Sequence, residues 1–248
     1  MKIRLLTALL STILLSTATQ AAEIKLLASA AVKDAFLELI PQFEKATGHK
    51  IVVAWSASPD IRKRIAGGEA ADLVILASSG ADELIKEGKL AAGSRTNFAK
   101  SGIGVAVRAG APKPDISSAD AVKKSVLAAK SVAFSGGASG AYIVGMFEKM
   151  GIAEQVKSKT ATVKLAEPVG DVVARGDAEL GFHQVSELLH VKGIEYLGAL
   201  PPEIQNITVF SGGIHSEAKD AAATKALVDF LTASSAATTL KKHGLDPG

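Results

Sequence analysis

The chain of 248 residues reads as an α/β protein of mostly parallel sheet with flanking helices. Three observations point there. Short apolar strand signals alternate with amphipathic helices, as βαβ units require. One strand, Asp72–Ala77 (DLVILA), is apolar on both faces and belongs in the middle of a covered sheet. The alternation restarts after the rigid connector Ala111-Pro112-Lys113-Pro114, which marks a second α/β unit.

The first residues are a targeting signal rather than structure. Lys2 and Arg4 form a basic start, Leu5 to Leu15 is an apolar run, and Thr19-Gln20-Ala21 is a small-x-small cleavage site. The run is too short to span a bilayer. Residues 1–21 are therefore expected to be removed on export, with the mature chain starting at Ala22. Losing Lys2 and Arg4 leaves the remaining Lys and Arg only one ahead of the 25 acidic residues. A near-neutral chain without a basic block argues against nucleic acid as a partner. Cysteine is absent, and none of the five histidines pairs with another at i,i+4, so neither a metal site nor a cofactor is expected. His49 and His243 lie in polar segments and read as solvated.

In chain order, Glu23–Ala28 is a strand and Val32, Ala35, Phe36, Leu39, Ile40 and Phe43 mark one face of the following helix. The junction between them, Ala28-Ser29-Ala30-Ala31, is all small residues. A second strand, Lys50–Trp55, leads through Ser56-Ala57-Ser58 into a helix at Pro59, with Ser58 as its expected N-cap. After DLVILA comes the short helix Ala81–Glu87, and then the strand Gly102–Arg108. The second unit has a helix at Ala119–Ala129, a strand at Ser131–Phe134, the loop Ser135-Gly136-Gly137-Ala138-Ser139-Gly140, and a helix at Ala141–Met150 that opens with Tyr142. A short strand, Thr162–Leu165, precedes a helix start at Ala166–Asp171, and Glu179–Gln184 is a further strand. Glu195–Leu200 and Ile207–Phe210 close the strand set, and Thr224–Lys242 reads as one long terminal helix.

The strand-to-helix junctions are the candidate site. In parallel α/β sheets the crevice lies at the carboxyl ends of the strands, where helix starts aim N–H groups and a positive dipole end at an anion. Small residues there also permit tight packing, which alone explains one junction better than three. Lys33, Arg62, Arg64, His183 and Gln184 fall within a few residues of this crevice. Arg62 and Arg64 either clamp carboxylates or lie on a solvated helix face, because Ile61 and Ile65 define the buried side. Tyr142 and Trp55 are either core or pocket wall. Glu167 and Asp171 complement a helix dipole or, for Glu167, supply a base.

Taken together, LLASAAVKDAF, ADLVILA, GASGAY, AEPVGDVVARGDAELGF and the closing helix resemble the periplasmic molybdate-binding proteins of ABC importers over essentially the whole mature length. The resemblance implies a type II periplasmic binding fold, with two lobes joined by two crossover strands. Lobe 1 would be residues 22–101 plus 207–248 and lobe 2 residues 102–206, with crossovers near Ala99–Val105 and Ile204–Phe210. It implies a small anion held between the lobes, a monomer, and importer membrane subunits as the partner. By the same resemblance Ser58, Ser139, Gly140, Tyr142 and Val169 belong to the site. Ala31 stands where the family has a serine, with Ser29 two positions earlier, and Gln184 stands where it has a tyrosine. Those two departures remove hydroxyl donors and point to an anion other than molybdate. The chain is also similar to an aconitate isomerase branch of the same relatives. On that reading His183, Glu167 or Lys33 moves a proton, while Arg62 and the helix starts hold carboxylates.

Overall fold

The computed structural model describes residues 21–163 and 167–248. The expected signal up to Gln20, and the end of the strand expected at Thr162–Leu165, lie outside the described residues. In chain order the elements begin β1 (Glu23–Ser29), α1 (Lys33–Thr47), β2 (Lys50–Ser56), α2 (Ser58–Ala66), β3 (Leu73–Ala77), α3 (Ser78–Lys86) and β4 (Thr96–Ser101). Then come β5 (Ile103–Arg108), α4 (Ala119–Ala128), β6 (Val132–Phe134), α5 (Ala138–Lys149), α6 (Ala153–Lys157), α7 (Val169–Arg175), β7 (Leu180–Gln184) and α8 (Val185–Leu188). The chain closes with β8 (Ile194–Ala199), β9 (Thr208–Ile214), α9 (Ala221–Thr232), α10 (Ala237–Lys242) and β10 (Asp246–Pro247).

These strands form two sheets, one in the order β10-β4-β9-β3-β1-β2 and one in the order β6-β7-β5-β8. Pairing follows from connection. β1 runs parallel to β2 and β3, and β6 parallel to β7, because helices carry the chain back over the sheet between them. β9, returning from the other sheet, runs antiparallel to both β3 and β4, and β5 runs antiparallel to β7 and β8. β3 is buried at every residue, as its uniformly apolar sequence requires.

Each sheet has its own core. Leu26, Phe36, Ile75 and Leu227 pack under the first, and Val105, Ile143, Phe147 and Phe182 under the second. Among the described residues no buried apolar cluster draws on both. The chain leaves the first sheet at Gly102, the single residue between β4 and β5, and returns between Ala199 and Thr208. Gln205 ties the two passages together. Its Nε2 donates to the carbonyls of Ile103 (3.0 Å) and Leu200 (3.2 Å), and its Oε1 accepts from the Ile103 N–H (2.7 Å).

Some expectations are corrected here. The terminal helix is two helices, broken at Ala233, which is extended (φ −62°, ψ 151°) ahead of a 3-10 turn at Ser234–Ala236. A Thr-Ala-Ser-Ser run offers the backbone competing side-chain partners and interrupts the helix. Ser58 is the first helical residue of α2, not its cap; the cap position is Ala57. His49 and His243 are not solvated. His49 Nδ1 accepts from the Ala22 N–H (3.0 Å), and His243 lies between His190 and Glu38, 3.0 Å from each.

Candidate functional site: a cleft between the two sheets

A cavity of about 680 Å³ opens where β1, β2, β6 and β7 end. The first sheet contributes Ser29, Lys33, Trp55 and Ser58; the second contributes Ser139, Glu167, His183 and Gln184. The sequence-derived junctions therefore meet in one place.

The backbone geometry suits an anion. At the starts of α2, α5 and α7 the cap positions are Ala57, Gly137 and Pro168, and none offers a side-chain acceptor to the first turn. Helices that open elsewhere are mixed: α3 and α6 also begin without a side-chain cap, at Ala77 and Ile152, whereas α4 and α9 are capped. Ser118 accepts from the Ala121 N–H at the start of α4, and Asp220 from the Ala223 N–H at the start of α9. What sets α2 and α5 apart is position: Ala57, Ser58, Gly137 and Ser139 line the cavity, so uncapped first-turn N–H groups lie beside it and can meet an anion. At the start of the 3-10 turn after β1, Ser29 Oγ is a loose acceptor for the Ala31 N–H at 3.4 Å. Lys33 and Lys192 add two ammonium groups to the lining, neither in an ion pair among the described residues.

The other expected residues divide clearly. Ser58 Oγ accepts from the Ala77 N–H (2.9 Å), which leaves its own hydrogen available to the cavity. Ser139 is buried, with Oγ 3.4 Å from Ser135 Oγ. Gln184 lines the cavity but is committed to the strands that join the sheets. In the orientation that satisfies its amide, the oxygen accepts from Thr208 Oγ1 (2.9 Å) and the nitrogen donates to the carbonyl of Ser101 (3.1 Å). Glu167 reaches the lining and pairs with Arg175 at 2.8 Å.

Six candidate residues fall outside the lining. Arg62 turns to the outer face of α2 and pairs with Glu83 (2.5 Å) and Glu87, because Ile61 and Ile65 hold the opposite face inward. Arg64 is likewise taken up, by both oxygens of Glu69 at 2.6 Å. Ala31 is buried in the first core, and the Val169 side chain is buried beneath α7. Tyr142 donates to the Ile204 carbonyl (3.0 Å) and packs on the second core. Gly140 serves close packing: a Cβ there would lie 1.5 Å from the Ser135 carbonyl oxygen.

The sequence reading missed Glu187. It lines the cavity one helical turn beyond His183, with Oε2 3.6 Å from His183 Nδ1. That spacing is within ion-pair range and too long for a hydrogen bond. His183 is 5 % exposed, and its Nδ1 has no hydrogen-bond partner among the described residues. The Glu187 side chain is 19 % exposed, and the residue is part of the cavity lining. Burial pushes its carboxyl above the ordinary range; nearby His183 pulls it back and Asp34 pushes it further up. An i,i+4 His–Glu pair across a strand-to-helix junction was the available signal.

The model of the family described as bacterial extracellular solute-binding protein matches residues 24–246. The chain belongs to this family. An aconitate isomerase from a Pseudomonas species is 40% identical over 227 residues, which is 89% of this chain and 86% of that one. The molybdate-binding protein ModA of Azotobacter vinelandii is 31% identical over 240 residues, 93% of this chain and 92% of the other. Among solved structures, the sulfate-binding protein SubI of Mycobacterium tuberculosis superposes with a TM-score of 0.75 at 19% identity, covering 91% of this chain and 87% of that one. That likeness establishes the fold: this is a type II periplasmic binding architecture.

Proposed function

We propose that the chain is an exported, monomeric receptor that captures a small anion, an organic carboxylate or an oxyanion, and delivers it to the membrane subunits of an ABC importer. One observation carries this reading: helix starts without side-chain caps, from both sheets, converge with Lys33 and Lys192 on a single cleft. On this reading residues 22–101 with 207–248 form one lobe and 102–206 the other, and the lobes close on the ligand about the strands beside Gly102 and Gln205. The relatives named for molybdate and aconitate both handle small anions, in keeping with this.

A second reading is favoured by one feature, the His183–Glu187 pair in the cavity lining. An aconitate isomerase-like activity needs a base to take a proton from one carbon of an allylic system. The electron pair then shifts across the double bond and a proton returns to the far carbon. Atoms balance and no cofactor is required. His183 and Glu187 are placed for the transfer, with Lys33 and the helix starts as carboxylate clamps.

Calorimetry with molybdate, sulfate, citrate and cis- and trans-aconitate, followed by proton NMR of the aconitates, tests both. Binding of at least one anion without interconversion supports the receptor, and interconversion establishes the isomerase. Unchanged affinity in a Ser58→Ala, Ser139→Ala double variant would mean the cleft is not the site.

A further inference from the structure

We propose that anion capture in this cleft is coupled to uptake of one proton, which the His183–Glu187 pair holds against the bound ligand. The inference rests on the reading of the cleft as an anion site and adds to it a chemical requirement.

Such a site should exclude carboxylates, because a ligand offering only lone pairs meets nothing but repulsion from an ionised Glu. Here Glu187 stands in the lining with Asp34, Asp60, Glu167 and Asp171, within one cavity with the open starts of α2 and α5; Asp60 is held by Ser56 and Arg64, and Glu167 by Arg175. The charged groups around it do not neutralise it. From β7 comes His183, whose Nδ1 is buried without a hydrogen-bond partner among the described residues and lies 3.6 Å away. From the first turn of α1, Asp34 adds a second negative charge, while Lys33 beside it is exposed at the mouth. From α7, Asp171 is acidic and Arg175 is committed to Glu167 and Asp177. β5, which also packs on α8, carries one charge, Arg108, at its far end next to Gly176. Lys192, after α8, is exposed at the rim.

An anion arriving at this wall raises the proton affinity of the Glu187 carboxyl, and the proton taken up sits there, beside the orphaned Nδ1 of His183. Once protonated, the pair turns from acceptor to donor and can hydrogen-bond a ligand oxygen. The chemistry suits a multiply charged small carboxylate or oxyanion, whose charge exceeds what two rim lysines and the helix starts balance.

Titration calorimetry of the full mature chain at about pH 8, with cis-aconitate, citrate and molybdate as probes in buffers of different ionisation enthalpy, reads the proton count directly. The wild type is expected to take up close to one proton per bound anion, and its affinity to fall by up to about tenfold per pH unit on the alkaline side. Glu187→Gln, nearly the same shape, should bind with no uptake and a flat pH profile. Asp34→Asn should keep the uptake and move it to lower pH, which checks the effect without touching the pair. Binding without uptake in the wild type, or uptake that survives in Glu187→Gln, would overturn the proposal and leave the anion site standing. No heat with any probe would overturn both.

Discussion

Holding Glu187 inside the cleft costs the folded chain stability whenever that carboxyl is ionised. Its folded value is raised, first by burial and then by Asp34. The stability linked to it is therefore fully present below the ordinary carboxylate value and is lost as pH rises through the folded one. Glu187→Gln should raise the melting midpoint by about 2–4 °C at about pH 8 and leave it unchanged at about pH 4. Melting curves at the two pH values check this; equal shifts at both would mean the carboxyl is not penalised. Gly140 makes a different demand. With a Cβ 1.5 Å from the Ser135 oxygen, Gly140→Ala must displace the loop at the head of α5. The expected loss is about 1–3 kcal/mol in denaturant unfolding, with weaker anion binding. At this scale the sequence was an uneven guide. Ser29, Ser58 and Ser139 were legible because strand ends dictate where small residues face a cleft. Arg62 and His243 were not, because Glu83, Glu87, Glu38 and His190, which hold them, are distant in sequence or on other elements.

Among the helices, α4 and α9 begin with side-chain caps, whereas α2 and α5 begin bare at the cleft. Supplying the missing acceptor should separate stability from binding. Gly137 has φ −88°, which any residue can adopt, and a Cβ there meets nothing closer than Ser135 Oγ at 3.4 Å. Gly137→Asp is expected to change unfolding free energy by no more than about 0.5 kcal/mol, since Gly is itself a tolerated cap. Its carboxylate would occupy the first-turn N–H groups of α5, so anion affinity measured by calorimetry should fall at least about tenfold. Unchanged affinity would remove α5 from the site. Periodicity located most helices, and the all-apolar β3, because these patterns are local. β4 and β10 escaped it. β4 (TNFAKS) shows no alternation and is a strand because β9, returning from far along the chain, pairs with it. β10 is two residues laid against β4. The four-residue α8 is too short for any periodic signal, which is why Glu187 went unread.

Across the whole molecule, the order of elements carried the architecture. The restart of the βαβ pattern after Ala111–Pro114 foretold two sheets, and the passage at Gly102 with the return before Thr208 explains why β9 and β5 run against their neighbours. The contents of the cleft were less legible than its position, since they depend on which side chains from opposite sheets face each other once both have formed.

The separate cores have a consequence for how the chain comes apart. Among the described residues no buried apolar cluster spans the two sheets, and the connections between them are polar: Gln205 at the crossover, Gln184 with Thr208, and His190 with His243. Such contacts couple units weakly, so the empty chain should melt as two overlapping transitions in scanning calorimetry, one for each sheet. An anion gripped from both sides binds only when both units are folded, and it stabilises them jointly by mass action. Saturating ligand should therefore merge the two transitions into one at higher temperature; a single transition in the empty chain would contradict this. The ligand becomes the cooperative contact that the apolar side chains do not provide.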